Sequence, residues 1–317
     1  MTAPVSYTAT GRIGNIVIDS PPVNALSHDV RQGIVESLKV AEADDTEVVI
    51  LRCEGRTFIA GADITEFGKP PQAPTLATVL AALESHPKPV VAAIHGTALG
   101  GGLELALCCD YRLAGATAKV GLPEVNLGLL PGAGGTQRLP RLTGLRTAID
   151  MITGGRPLGA DDAHRAGIVD AVSGDNLVQA AKDFADELLG RGAGKRLTRG
   201  IPFHPDDDDT ALLSGARDTI AKRLKGQTAP QRILDCLSAA GTVPFEEGLK
   251  VERRAFEACM GDPQSSALRH QFFAERAAAK IQGMAPGTET QPVKRVGIIG
   301  AGTMGGGIAM CFAQAGS

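Results

Sequence analysis

The sequence predicts an α/β fold with largely parallel strands, and three observations carry that reading. Short β-branched runs alternate with helical patterns from the N-terminus to about Gly194, as repeated βα units do. Two of those runs, residues 48–52 and 89–94, are continuous and apolar, which is the pattern of buried strands. Behind the second stands a strand–glycine turn–helix unit, Gly96-Thr-Ala-Leu-Gly-Gly-Gly102 followed by Leu103-Glu-Leu-Ala-Leu107.

Each element follows from its local pattern. Residues 5–9 and 12–18 flank Gly11 and read as a hairpin. Ser27 stands as an N-cap before a helix with Val30, Ile34, Leu38 and Ala41 on one face. From about Arg191 the texture changes. Helical patterns follow one another at 210–224, 229–240, 244–260 and 263–281, with no strand signal of note between them. The acidic run Asp206–Asp209 reads as a solvated linker edge or as a charge-favoured helix N-terminus. Nothing near it completes a metal ligand set. Residues 285–292 form a Gly/Pro/Thr linker. Val296-Gly-Ile-Ile299 then reads as a short strand, before Gly300-Ala-Gly-Thr-Met-Gly305 and an apolar helix start at 308–312. The expected division is an α/β domain at 1–195, a helical linker domain at 196–284, and a strand–helix start at 285–317.

Composition excludes several functions. With 317 residues the chain is long enough for at least two domains, and 43% hydrophobic with 21% charged residues is ordinary for a globular protein. A net charge of −3 gives no general attraction to nucleic acid, and the absence of Trp argues against base-stacking platforms. The six cysteines show no C-x-x-C or clustered Cys/His spacing, so structural thiols in a reducing compartment are expected, with no metal. No leader pattern and no 18-residue apolar run is visible. The expectation is a cytoplasmic protein without a membrane span.

Candidate chemistry begins at the glycine turn. Amides at a helix N-terminus are unpaired and carry the positive dipole end, so Gly100–Gly102 could stabilise an oxyanion. The same glycines equally serve tight helix–strand packing. Glu104 falls in the first helical turn, where a capping role is also natural. Glu124 stands in a Pro-containing turn, Val120-Gly-Leu-Pro-Glu-Val-Asn126, where an exposed carboxylate is the commoner fate. Two carboxylates beside one oxyanion site would make an acid/base pair. The segment Phe58-Ile-Ala-Gly-Ala-Asp-Ile64 ends in small residues that leave backbone open to a ligand. His95, before the glycine turn, reads as a packed or capping histidine.

In chain order, Pro22-Val-Asn-Ala25, Ala60-Gly-Ala-Asp63, Gly100-Gly-Gly-Leu-Glu-Leu-Ala106, Gly121-Leu-Pro-Glu-Val125 and Leu130-Pro-Gly-Ala-Gly-Gly-Thr-Gln-Arg138 make a joint pattern. From about Arg12 to Leu189 it resembles the enoyl-CoA hydratase/isomerase, or crotonase, superfamily. The resemblance implies a ββα-repeat spiral and an acyl-CoA thioester substrate. It assigns the Ala62 and Gly101 amides to the oxyanion hole, Glu104 to water activation and Glu124 to proton delivery at Cα. Ala25, Ala60, Asp63, Ile64, Gly100 and Pro123 would bind substrate, with Ala60, Asp63 and Ile64 along the CoA path. Relatives with isomerase activity alone commonly lack one glutamate, so two of them favour hydration of a trans-2-enoyl-CoA in fatty-acid β-oxidation. A Δ3,Δ2-enoyl-CoA isomerase and a non-catalytic acyl-CoA-binding module are the alternatives.

Gly300-x-Gly-x-x-Gly305 after a short strand fits a dinucleotide fingerprint. With the crotonase-like region ahead of it, the whole chain resembles the N-terminal part of fused enoyl-CoA hydratase/3-hydroxyacyl-CoA dehydrogenase enzymes. Gly300, Gly302 and Gly305 would then belong to an incomplete NAD site, with NAD required only by a longer enzyme. The expectation is a chain cut early in a Rossmann domain, with negligible dehydrogenase activity. No cofactor is expected for hydration. A peroxisomal location is implied for a eukaryotic source, and a monomer and a crotonase-type oligomer remain equal alternatives.

Overall fold

Strands β1 (Val5–Thr10) and β2 (Ile13–Ile18) form the antiparallel hairpin, turned at Gly11 with φ of +58°. The computed structural model describes residues 3–63, 66, 69–70, 72–278, 283–284, 288–289 and 293–316. Helix α1 (His28–Ala43) buries Val30, Ile34, Leu38 and Ala41, the stripe its spacing requires. Ser27 is its N-cap by backbone geometry, but the side chain makes no capping hydrogen bond. Strand β3 (Val48–Cys53) pairs in parallel with β2, and after α2 (Leu76–Ser85) strand β4 (Val90–Ile94) pairs in parallel with β3. All five residues of β4 are buried, as a central parallel strand requires.

Next come β5 (Thr97–Leu99), α3 (Gly101–Cys108), β6 (Tyr111–Gly115) and β7 (Lys119–Gly121). A 3-10 helix at Glu124–Leu127 and α4 (Gly135–Gly154) follow, then β8 (Leu158–Gly159), α5 (Ala160–Arg165), β9 (Ala171–Ser173) and α6 (Leu177–Gly190). Six strands form one sheet in the order β1-β2-β3-β4-β6-β9, and β5-β7-β8 form a second. Between β4 and β5 the chain leaves the large sheet for the small one at Gly96. Its φ is +57°, and a Cβ there would lie 2.3 Å from the Arg56 carbonyl oxygen. The pair β6–β7 repeats the step, so each ββα unit contributes one strand to each sheet before its helix.

Alternation along the strands divides the core between two faces. Val49, Leu51, Ala92 and Ile94 pack with residues of α1, α2 and α3, whereas Val48, Ile50, Val91 and Ala93 pack with Ala181, Ala185 and Leu188 of α6. Helices α7 (Asp207–Arg223), α8 (Ala229–Thr242), α9 (Phe245–Met260) and α10 (Pro263–Ala278) complete the helical region. The acidic run opens α7. Asp206 accepts from the Asp209 amide and the Asp209 side chain accepts from the Asp206 amide, a capping box. Ile233, Leu234 and Leu237 of α8 join the same core as α3 and α4. One compact unit runs from Met1 to Phe272, and the shared apolar core joins the α/β part to the first helices after it.

The second unit is Phe273–Ser317. Residues 296–299, expected as a strand, are not one among the described residues, and Ile299 is fully exposed. An extended run becomes a strand only when another backbone accepts its hydrogen bonds. The glycine loop and its helix α11 (Thr303–Gln314) do form. Gly300 has φ of +101°, and a Cβ on Gly305 would lie 1.9 Å from the Gly300 carbonyl oxygen. Residues 279–281 of the expected fourth helix, and much of the 285–292 linker, lie outside the described residues.

Candidate active site

The three glycines after β5 have separate jobs. Gly100 takes φ of +53° and ψ of −127°, a conformation that side chains rarely tolerate. Its missing Cβ also leaves room for Glu124, whose Oε1 would sit 3.1 Å from such an atom. Gly101 opens α3, and a Cβ there would stand 3.5 Å from the Ala62 nitrogen. Gly102 is a packing glycine: a Cβ would lie 2.2 Å from the Ile59 carbonyl oxygen. The packing reading of the turn thus applies to Gly102, while Gly101 brings the helix start close to the Ala62 amide.

Residues 58–62 run alongside that turn. The Ile59 amide donates to the Thr97 carbonyl, the Leu99 amide donates to Ile59, and Leu26 bridges Ala62 through its amide to the Gly61 carbonyl at 3.0 Å. Among the described residues, neither the Ala62 nor the Gly101 amide donates to a backbone carbonyl. Ala25 adjoins this bridge, and the Ala60 amide donates to Val23. Ala60 and Asp63 are half-buried on the same run, whereas Ile64 lies outside the described residues. His95 places Nε2 3.1 Å from the Gly55 carbonyl oxygen, a packing contact as expected.

Glu104 is buried and does not cap its own helix. Its Oε1 accepts from the Ala133 amide at 2.7 Å and the Gly135 amide at 2.9 Å, so it caps the start of α4 instead. Burial raises its pKa, while those two amides and the Arg138 guanidinium favour the anion. Pro123 is the N-cap of the 3-10 helix that carries Glu124. Glu124 is half-buried as a residue, but its Oε2 is buried and has no hydrogen-bond partner. Burial and then the Glu104 charge hold its pKa well above the ordinary 4.5. The two glutamates thus lie within electrostatic reach of each other, Glu104 engaged by two backbone amides and Glu124 with Oε2 unpartnered.

A third carboxylate was not anticipated. Glu252 of α9 is buried and accepts from the Gly134 amide, from the Thr136 amide at 2.9 Å and from the Thr136 hydroxyl. Burial and the Glu104 charge push its pKa to about 8. Its signal in the sequence was an acid inside a buried helical stripe, between Gly248 and Cys259 at helical spacing. Gly300, Gly302 and Gly305 belong to the other compact unit.

Residues 8–198 match the enoyl-CoA hydratase/isomerase family. The chain is 40% identical over 308 residues to the peroxisomal bifunctional enzyme of Danio rerio, covering 95% of this chain and 42% of the relative. It is 42% identical over 307 residues to the Homo sapiens protein of the same name, again covering 95% and 42%. The chain thus spans less than half the length of these relatives. Among solved structures it is similar to an enoyl-CoA hydratase from Bacillus anthracis, with 30% identity and a TM-score of 0.53 over 86% of this chain and 96% of that one. A ββα spiral, two buried glutamates beside a glycine turn and these matches lead to one conclusion: the chain belongs to the enoyl-CoA hydratase/isomerase family.

Proposed function

We propose that the chain hydrates trans-2-enoyl-CoA thioesters to 3-hydroxyacyl-CoA. The observation that carries this is the pairing of Glu104, held by two backbone amides, with Glu124, whose buried Oε2 has no partner and whose Oε1 lies against Gly100. The Ala62 and Gly101 amides take the thioester oxygen as it gains enolate charge. A preorganised donor of this kind contributes about 3–4 kcal/mol to the transition state. Glu104 accepts a proton from water as the oxygen bonds to Cβ. Glu124 releases its proton to Cα as the enolate collapses, so one water is added across the double bond. The amides of Ala133 and Gly135 donate to Glu104 and favour its charged form, the form that accepts the proton. Ala25, Ala60, Asp63, Gly100 and Pro123 line the acyl-CoA path, and the hydration step uses no cofactor.

Glu124 alone can also carry a proton between two carbons of the acyl chain, because its Oε2 is unengaged. Isomerisation of a 3-enoyl-CoA is therefore the second reading. Glu104→Gln separates the two. Hydration, followed by loss of the conjugated enoyl-thioester absorbance, is expected to fall by about 10²–10⁴-fold, while isomerisation partly survives. Equal loss of both activities refutes the assigned roles.

In the second unit, the close approach of Gly305 to the Gly300 carbonyl and the helix that follows fit the pyrophosphate of a dinucleotide. Gly300, Gly302 and Gly305 would hold it. NAD there would supply hydride acceptance to a longer enzyme that oxidises the hydroxyacyl product.

A further inference from the structure

We propose that Glu252 is a positioning residue for Glu104, through which the C-terminal helical region sets the geometry of the hydration base. The inference rests on the assignment of Glu104 as that base. Two carboxylates divide the start of α4 between them in strict alternation. The amides of residues 133 and 135 donate to Glu104, and those of residues 134 and 136 donate to Glu252. Successive amides along this stretch point to opposite sides, so fixing one set orients the other.

The stretch has little stiffness of its own. It is Gly132-Ala-Gly-Gly135, with Gly134 at φ of +98°. Alone, such backbone is free to rotate its amides away from Glu104. Glu252 holds it through three donors on two oxygens, and Arg138 adds one contact from its Nη1 to the Ala133 carbonyl at 3.0 Å. Glu252 also lies beyond residues 8–198, the part matched to the family. The anchor of the base therefore comes from a helix that the matched region does not contain.

The charged and titratable groups around Glu252 are Glu104, Glu124, Arg138 and Cys236. Burial, and then the Glu104 charge, push the Glu252 carboxyl up to about 8. Loosening the 132–136 stretch removes donors from the Glu104 carboxylate, so its pKa moves up.

The test uses the full chain with Glu252→Ala and Glu252→Gln. The alanine leaves two amides unpaired. The glutamine sets its amide group against an N–H donor on one side while preserving size. A ¹³C-carboxyl titration, with Glu104 assigned by its absence in Glu104→Gln, is expected to show Glu104 moving up by about one pH unit in both variants. kcat for hydration is expected to fall about tenfold or more, with KM within about threefold. If the alanine variant does not fold, the glutamine variant decides alone. A folded variant whose Glu104 titration matches that of the unmodified chain overturns the proposal. An unmodified chain that shows no hydration overturns the functional reading instead, and the titration still decides the role of Glu252.

Discussion

Replacing Glu124 by Gln tests the division of labour between the two glutamates most directly. Burial, and then the neighbouring Glu104 charge, hold the Glu124 carboxyl well above the ordinary 4.5, so the neutral acid is favoured. Gln is close in shape to the neutral acid, and Oε2 has no partner to lose. Stability at acidic pH is therefore expected to change by less than about 1 kcal/mol. Catalysis is not spared, because an amide cannot deliver a proton to Cα. Loss of a positioned general acid costs about 10²–10⁴-fold, so kcat for hydration should fall by that factor with KM little changed.

The pH dependence of stability supplies an independent reading of the same residue. An acid whose folded pKa lies above its unfolded value stabilises the fold fully below the unfolded value. That contribution is lost as pH rises through the folded one. The unmodified chain should therefore lose stability relative to Glu124→Gln from about pH 4.5 upward. The gap should grow by about 1.4 kcal/mol per pH unit until the folded pKa is reached. Urea unfolding at several pH values measures it. A variant that retains more than about a tenth of the hydration rate refutes the assigned acid. So does a stability difference that is flat with pH.

Two further outcomes follow from the packing. Gly102→Ala places a methyl 2.2 Å from the Ile59 carbonyl oxygen and 2.8 Å from the Ile59 side chain. Overpacking of this kind costs about 1–3 kcal/mol and shifts the oxyanion turn, so both the melting temperature and kcat should fall; an unchanged melting temperature contradicts the close packing. Among the six cysteines only Cys311 is exposed, and burial pushes the Cys108 thiol up to about 12. A thiol reagent should therefore modify one thiol rapidly in the folded chain and the other five only after denaturation; rapid reaction of a second thiol contradicts the burial.

The sequence was most legible where local pattern and global fold agree. The stripe Val30–Ile34–Leu38–Ala41 is buried as spaced, and the apolar run at 90–94 became a central strand. The roles of single glycines were less legible. Gly100, Gly101 and Gly102 are adjacent and chemically identical, yet a positive φ, an amide near Ala62 and a carbonyl contact distinguish them. Residues 296–299 have strand character but no partner strand among the described residues, and β structure is a property of pairs.

By itself, the sequence determined the α/β class, the order of the motifs and the identities of Glu104 and Glu124 as candidates. Those depend on periodicity and on residue type, which are local. Only the tertiary structure decided that the two carboxyls come within electrostatic reach, that Glu104 caps α4 rather than its own helix, and that Glu252 reaches the same stretch from 118 residues beyond Gly134. Proton affinities depend on burial and on charges brought close in space. A carboxylate's neighbours across such a separation are written in no local pattern.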